Sequence, residues 1–365
     1  MDSFKTFSSN TIAGSGNQYF FAMEKKEIRT SRVFYKITHS GTFQYSLLFS
    51  NVIDSTYADG SISRKNLVCE SWTIHAARVG RCKKTIFDAN TFRFNETDIY
   101  EWFAITFDGA NTKDVSPAEF FWTDPMEFSF ENGEYLCVEM TFSGTMIPYH
   151  EESLLPAFVL HDGNWEYDKK TPFVGMIGCD RKVAHTIAFW GDSITQGIGT
   201  PINSYAHWNA LVAKYLGEQF ACWNLGIGYA RANDAASLGA WWEKAKHNDT
   251  VVICLGANDI LENRPAERII LDLTTIVSAL KQNGTRIVLQ TVPPFEYTDN
   301  QISVWLQINE FIRNELSKEV DLMFDVVPYL CNMQSTYFPI YGGHPNEIGC
   351  RIWAKALYEQ LKNLF

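Results

Sequence analysis

Two places in this sequence hold residue types that together could carry out acyl transfer. Ser193 ends the apolar, β-forming run Thr186-Ile187-Ala188-Phe189-Trp190 in an abrupt Gly191-Asp192-Ser193 turn, and Gly197 follows four residues later. His344 lies in Gly342-Gly343-His344-Pro345-Asn346, where the proline keeps the histidine out of the helix that follows. Acyl transfer needs a nucleophilic hydroxyl, a base to take its proton, and hydrogen-bond donors where the oxyanion develops. Ser193 supplies the hydroxyl and His344 the base. The donors are the Ser193 backbone N–H, the backbone N–H near Gly228, and the Asn258 amide, which is neutral and donates at any pH. A glycine at 228 lets the backbone approach a ligand closely.

These residues need elements to hold them on one rim. From about Gly178-Cys179-Asp180 onward, strand and helix patterns alternate, which signals a parallel sheet covered by helices on both faces. The strands read as His185–Trp190, Phe220–Leu225, Thr250–Leu255, Arg286–Thr291 and Leu322–Val326. Helices are expected at Tyr205–Leu216, Asp234–Ala245, Pro265–Gln282 and Ser303–Leu316, with a last one after Pro345. The third is the clearest, because Ile269, Ile270, Leu273, Ile276, Val277 and Leu280 make one stripe that stops at Asn283-Gly284. Ser193, the loop Asn224-Leu225-Gly226-Ile227-Gly228-Tyr229 and Gly256-Ala257-Asn258-Asp259 then follow successive strands. In a doubly wound sheet such loops share the carboxyl edge, where ligands bind.

The chain ahead of this region reads differently. Between about residues 17 and 178 the hydrophobic period is two: Leu136, Val138, Met140 and Phe142 alternate with Tyr135, Cys137, Glu139 and Thr141, and Phe43–Phe49 behaves alike. Further runs at Ser31–Thr38, Trp72–Val79, Tyr100–Phe107, Phe120–Phe130 and Pro156–Leu160 are separated by turns such as Asp108-Gly109 and Asp162-Gly163. Many short strands with almost no helical period predict an all-β sandwich of jelly-roll type. Length supports two domains, since the 365 residues exceed the ~250–300 at which single cores stop growing. We place them at 1–180 and 181–365.

The four blocks resemble those of the SGNH (GDSL-like) hydrolases, which contribute Ser, Gly, Asn and His in that order: Gly191-Asp192-Ser193, Gly228, Gly256-Ala257-Asn258-Asp259 and His344-Pro345-Asn346. The resemblance covers roughly the second half of the chain. It implies a flavodoxin-like three-layer α/β domain, a carboxylic ester hydrolase activity through Ser193 and His344, and an oxyanion hole from Ser193, Gly228 and Asn258. A sandwich ahead of such a domain is similar to the two-domain carbohydrate esterases, which remove acetyl groups from xylan or mannan fragments. Two departures stand out. The family usually has Asp three residues before the histidine, and here that residue is Tyr341. His344 must then be oriented by a backbone carbonyl, by Tyr341, or by a carboxylate from elsewhere such as Asp325. The glycine block is also tighter than usual, which leaves Tyr229 as a rival backbone donor.

Each residue also has a plainer reading. A lone serine in a strand-to-helix turn is ordinarily a cap. Asp192 and Asp259 suit loop braces better than catalytic acids, and Trp241-Trp242 suits a helix core better than a sugar platform. The other seven histidines have no metal-ligand spacing. The eight cysteines are scattered, several within apolar runs, as reduced core thiols are. Neither a metal nor an organic cofactor is called for. A net charge of −11 offers no basic stripe for nucleic acid or an anionic membrane. The N-terminus shows no signal-peptide pattern, which points to the cytoplasm. The expected activity is removal of O-acetyl groups from a carbohydrate, with an acetylated carbohydrate as partner. A lipid or thioester acylhydrolase, and a carbohydrate-binding protein on a decayed hydrolase, are the alternatives. For the sandwich, a wall of the site, a distant glycan contact and a homo-oligomer interface stay open.

Overall fold

The computed structural model describes residues 3–24, 26–55, 65–331 and 343–365. The chain forms two compact units, one of Met1–Asp54 with Asn66–Lys182, the other of Ser55–Lys65 with Val183–Phe365. No helix among the described residues is long and apolar enough to cross a membrane. All eight cysteines are free thiols, and only Cys331 is exposed.

The first unit is all-β and antiparallel. Its larger sheet has seven strands, with Tyr135–Gly144 at the centre between Arg29–Lys36 and Trp72–Cys82. The alternation along the central strand is kept: Leu136, Val138, Met140 and Phe142 are all buried. The opposite face is divided. At one end Phe34, Cys82, Ile86, Tyr135, Cys137 and Phe158 form a second apolar cluster. At the other end Glu139 and Thr141 are only part-buried. A second sheet of five strands is built on Gly41–Ser50. The single strand expected over Phe120–Phe130 is two, Phe120–Trp122 and Met126–Phe130, both paired with Gly41–Ser50. Pro125 has no N–H for the ladder, and the Asp124 carboxylate beside it accepts from the Asp108 and Gly109 N–H groups at 3.0 and 2.8 Å.

The second unit is a five-stranded parallel sheet in the order Phe220–Asn224, His185–Gly191, Thr250–Cys254, Arg286–Gln290, Leu322–Phe324. Counted along the chain this is 2-1-3-4-5, the flavodoxin-like order, in which the direction of winding reverses beside the first strand. Ser193 leaves the sheet at that point. All five strands begin at the residues expected from the sequence.

The helices depart more. The segment expected as one helix over Asp234–Ala245 is two, Ala232–Ala236 and Ala240–Ala245. Asp234 turns back to accept from the Arg231 N–H at 2.9 Å, and Leu238 has φ +52° ahead of Gly239. The helix expected from Ser303 starts four residues earlier, at Asp299. There Thr298 and Gln301 cap each other's backbone N–H groups.

The last helix, Glu347–Leu361, follows His344 and is anchored through Trp353. That ring stacks on Trp208 at 4.7 Å with 5° between planes, and its N–H donates to Gln290 Oε1 at 2.7 Å. Trp353→Ala should therefore cost about 3–5 kcal/mol, the usual range for emptying a buried aromatic site. The check is urea unfolding of the full chain, and a midpoint equal to wild type would contradict this anchoring role.

Candidate active site

Ser193 is the first residue of a four-residue helix, Ser193–Gln196, which the first strand of this unit, His185–Gly191, meets through Asp192. Asp192 is the N-cap, with Oδ1 accepting from the Ile194 N–H at 2.9 Å. The backbone of this turn lies in a space with no room for side chains. A Cβ on Gly191 would meet Thr195 Oγ1 at 2.0 Å and the Cys254 carbonyl at 2.6 Å. A Cβ on Gly226 would meet the Gln196 nitrogen at 2.1 Å. From below, Asn209 Nδ2 donates to the Thr195 carbonyl at 2.5 Å, and Asn224 Nδ2 to the Gln196 carbonyl at 3.3 Å. Asn224 Oδ1 accepts from the Gly226 N–H at 2.8 Å, which ties the second strand's loop to the same turn.

His344 approaches from the start of the last helix. Asn346, two residues on, caps that helix by accepting from the Ile348 and Gly349 N–H groups, both at 3.0 Å. Gly343 has φ +92°, and a Cβ there would sit 2.4 Å from the Phe295 ring. Phe295 packs edge-on against the imidazole, with ring centres 5.3 Å apart. Gly199, at φ +99°, leaves space for His344 Cβ and the Pro345 carbonyl. So placed, His344 Nε2 lies 2.7 Å from Ser193 Oγ, across 151 residues of sequence. The serine is 9% exposed and the histidine 7%.

Asn258 is the second residue of the helix Ala257–Leu261, and Nδ2 donates to the Ala230 carbonyl at 2.9 Å. One Nδ2 hydrogen is thus used to hold the second strand's loop, and the other has no acceptor among the described residues. Gly228 lies in that loop, and Tyr229 next to it has φ +62°. Asp259 braces the same pair of loops: Oδ2 accepts from the Ala232 N–H at 2.7 Å, and Oδ1 is paired with Arg264. Arg264 continues to Asp272 at 2.7 Å.

Tyr341 and Asp325 are the residues named as possible partners for His344. Tyr341 lies outside the described residues. Asp325 faces elsewhere, with Oδ1 and Oδ2 held by Arg313 at 3.1 and 2.9 Å and Oδ1 also accepting from Thr291 Oγ1 at 2.9 Å. This pairing keeps its pKa below the usual carboxylate value, despite partial burial. Trp241 is core: it is buried, its N–H donates to the Leu225 carbonyl at 2.8 Å, and it packs against Trp190. His207, which a Cβ on Gly197 would strike, is buried, and burial lowers its pKa to about 4.

The sequence reading passed over Gly226, Gly199, Asn209 and Phe295. Of these Gly226 had a signal, as one of two glycines in Asn224-Leu225-Gly226-Ile227-Gly228, and Gly199 another, in the glycine-rich Gly197-Ile198-Gly199. The clash distances pick out Gly226 as the glycine of its loop that packing requires. No group of three or more His, Cys, Asp or Glu that could hold a metal occurs among the described residues.

A strand-end serine in contact with a buried histidine, on the rim of a 2-1-3-4-5 parallel sheet, is the framework of a carboxylic ester hydrolase. Residues 189–352, most of the second unit, match the model of the GDSL-like Lipase/Acylhydrolase family. Among solved structures, a lipolytic protein of the G-D-S-L family from Veillonella parvula is 19% identical, covering 48% of this chain and 98% of its own, with a TM-score of 0.42. An aryl esterase from M. smegmatis is 19% identical over 50% of this chain and 100% of its own, at 0.43. An acetyl-xylooligosaccharide esterase from Geobacillus stearmophilus is 19% identical over 50% and 95%, at 0.41. No curated protein matches the chain.

Two tests follow from this geometry. Gly226→Ala must push the Ser193 helix away, so we expect a loss of about 1–3 kcal/mol by thermal unfolding and a fall in aryl acetate turnover. Wild-type turnover in that variant would show that the close approach is dispensable. The second concerns Asp192, which is 1% exposed and whose Oδ2 has no hydrogen-bond partner. Burial raises its pKa to about 7, with the Asp259 carboxylate adding to the shift and the Ile194 N–H opposing it. A carboxyl raised in the fold stabilises it below the unfolded pKa, and that stability is lost as pH climbs through the folded pKa. Asp192→Asn keeps the cap and removes the titration. Its melting temperature relative to wild type should therefore rise between pH 5 and pH 8, and a difference independent of pH would refute the assignment.

Proposed function

We propose that this protein is a serine esterase that removes O-acetyl groups from a carbohydrate. The observation that carries the reaction is the 2.7 Å contact between Ser193 Oγ and His344 Nε2. His344 takes the serine proton while Oγ attacks the acetyl carbonyl carbon. Negative charge collects on the carbonyl oxygen, for which the Ser193 N–H, the Gly228 N–H and the second Nδ2–H of Asn258 are the donors. Collapse expels the sugar oxygen, which receives the proton from His344 and leaves as a hydroxyl. Water, deprotonated by His344, then attacks the acetyl-enzyme and releases acetate with free Ser193.

The carbohydrate half of the reading is supported by architecture, an antiparallel all-β unit ahead of a GDSL-like unit, as in the two-domain carbohydrate esterases that the sequence resembles. Tyr341 remains a candidate to orient His344, as does a backbone carbonyl. Asp325 is not proposed for that role, since Arg313 occupies it.

Mass spectrometry of acetylated xylo- and manno-oligosaccharides, before and after treatment, tests the substrate, with Ser193→Ala as control. Loss of 42 mass units per acetyl group, taken as about 42 from the chemistry of deacetylation, is expected with wild type alone. No loss from any of them, together with aryl ester rates that rise with acyl chain length, would favour a lipid or thioester acylhydrolase instead. Asn258→Ala should fold and lose about 10²–10³ in turnover. Full activity in that variant would remove Asn258 from the oxyanion hole.

A further inference from the structure

The second unit is not continuous in sequence. It includes Ser55–Lys65, a segment that interrupts the all-β unit. The chain departs and returns through a paired stem, in which the Ile53 N–H donates to the Leu67 carbonyl at 2.8 Å and the Asn66 N–H to the Ile53 carbonyl at 2.9 Å. Lys65, the last residue of the excursion, therefore extends from a held backbone. Its Nζ donates to the Asn233 carbonyl at 3.2 Å and also to Asn233 Oδ1, across 168 residues of sequence.

Asn233 belongs to the short helix Ala232–Ala236, which closes the loop that carries Gly228. The start of that loop is tied to the first strand: the Leu225 N–H donates to the Phe189 carbonyl at 2.8 Å and the Ile227 N–H to the Gly191 carbonyl at 3.1 Å. Its far end is held by Asn258 on the Ala230 carbonyl at 2.9 Å and by Asp259 on the Ala232 N–H at 2.7 Å. One residue on, the hold slackens. The Asn233 N–H reaches Asp259 Oδ1 only at 3.4 Å, and Nδ2 reaches Asp272 Oδ2 only at 3.4 Å, both long for hydrogen bonds. The Lys65 ammonium supplies the stronger contact, charge-assisted and made to two oxygens of one residue. It also orients the amide, because Oδ1 then faces a cation while Nδ2 faces a carboxylate. Asp259 and Asp272 already share Arg264, and Lys65 brings a further positive charge to this group.

Gly228 and Tyr229 lie between the two anchored ends, and Tyr229 has φ +62°. A non-glycine residue in the left-handed region keeps that conformation only where its surroundings enforce it. Slackening the far anchor should therefore release the middle of the loop, and with it the N–H that meets the oxyanion. We propose that Lys65 is a positioning residue for the oxyanion hole, its ammonium holding Asn233 so that the Gly228 loop stays aimed at the developing charge. The catalytic half of this statement rests on the esterase reading; the tether itself does not.

Steady-state hydrolysis of aryl acetates by the full chain with Lys65→Met, Lys65→Arg or Asn233→Ala tests the catalytic half. An oxyanion donor acts on the transition state more than on bound substrate, so Lys65→Met should lower kcat at least about five-fold while KM stays within about two-fold. Lys65→Arg keeps the charge and the donors and should recover most of the loss. Asn233→Ala should also lower kcat, and combining it with Lys65→Met should cost less than the product of the two single effects. Amide hydrogen exchange over residues 226–233 tests the tether without turnover. Exchange there should be several-fold faster in Lys65→Met than in wild type, with Thr250–Cys254 unchanged. A smaller fall in kcat, a loss carried by KM, no recovery in Lys65→Arg, single effects that multiply, or unchanged exchange overturns the proposal. A wild-type chain with no aryl esterase activity would instead sink the esterase reading, and the exchange result would still decide the tether.

Discussion

Between the Ser193 helix and the loop after Phe220–Asn224 there is no space for a side chain, and a Cβ on Gly226 would come 2.1 Å from the Gln196 nitrogen. Gly191 meets the same limit against Thr195 and the third strand. The rim that carries Ser193 is built on this backbone contact. It brings the second strand's loop against the serine turn, and Asn258 and Asp259 can then hold that loop from the third strand. A parallel sheet alone would present these loops at one edge. The glycines bring them to hydrogen-bonding range.

The polar groups around the turn are nearly all enclosed, and enclosure determines their charge. Asp259 is compensated by Arg264 and two backbone N–H groups, yet burial still raises its pKa to about 6. Asp192 has one backbone N–H and no cation, so it is the more easily protonated of the two. Burial keeps His207 neutral, and it shares Asn209 with the serine turn at 2.5 Å from Nδ1 to Oδ1. A neutral amide network of Asn209 and Asn224 supports the Ser193 turn without adding charge of its own.

The all-β unit uses charge in another way. Instead of neutral amides, a row of Arg32, Glu139 and Arg78 crosses the sheet between Trp165 and Trp102. Stacking on flat rings suits guanidinium, which is weakly hydrated and planar, and would suit an ammonium less well. The row begins where the second apolar cluster ends, so the same face changes along its length from packed core to a part-exposed charged surface.

Much was legible in the sequence because it depends on local patterns. Period-two alternation separated the β region from the strand and helix region, and all five parallel strands began where expected. Local rules also decided Ser193 and His344: a strand ending in Gly-Asp-Ser, and a histidine held back by Pro345. Other features required tertiary structure, since they depend on contacts between distant segments. Whether Gly226 or Gly228 is the sterically required glycine depends on where Gln196 lies. The fate of Asp325 depends on Arg313, one helix away, and the clamp on Arg78 on three neighbouring strands. Sequence spacing determines which groups face a common edge, but distance and burial determine which of them meet, and hydrogen bonding and charge act only over such distances.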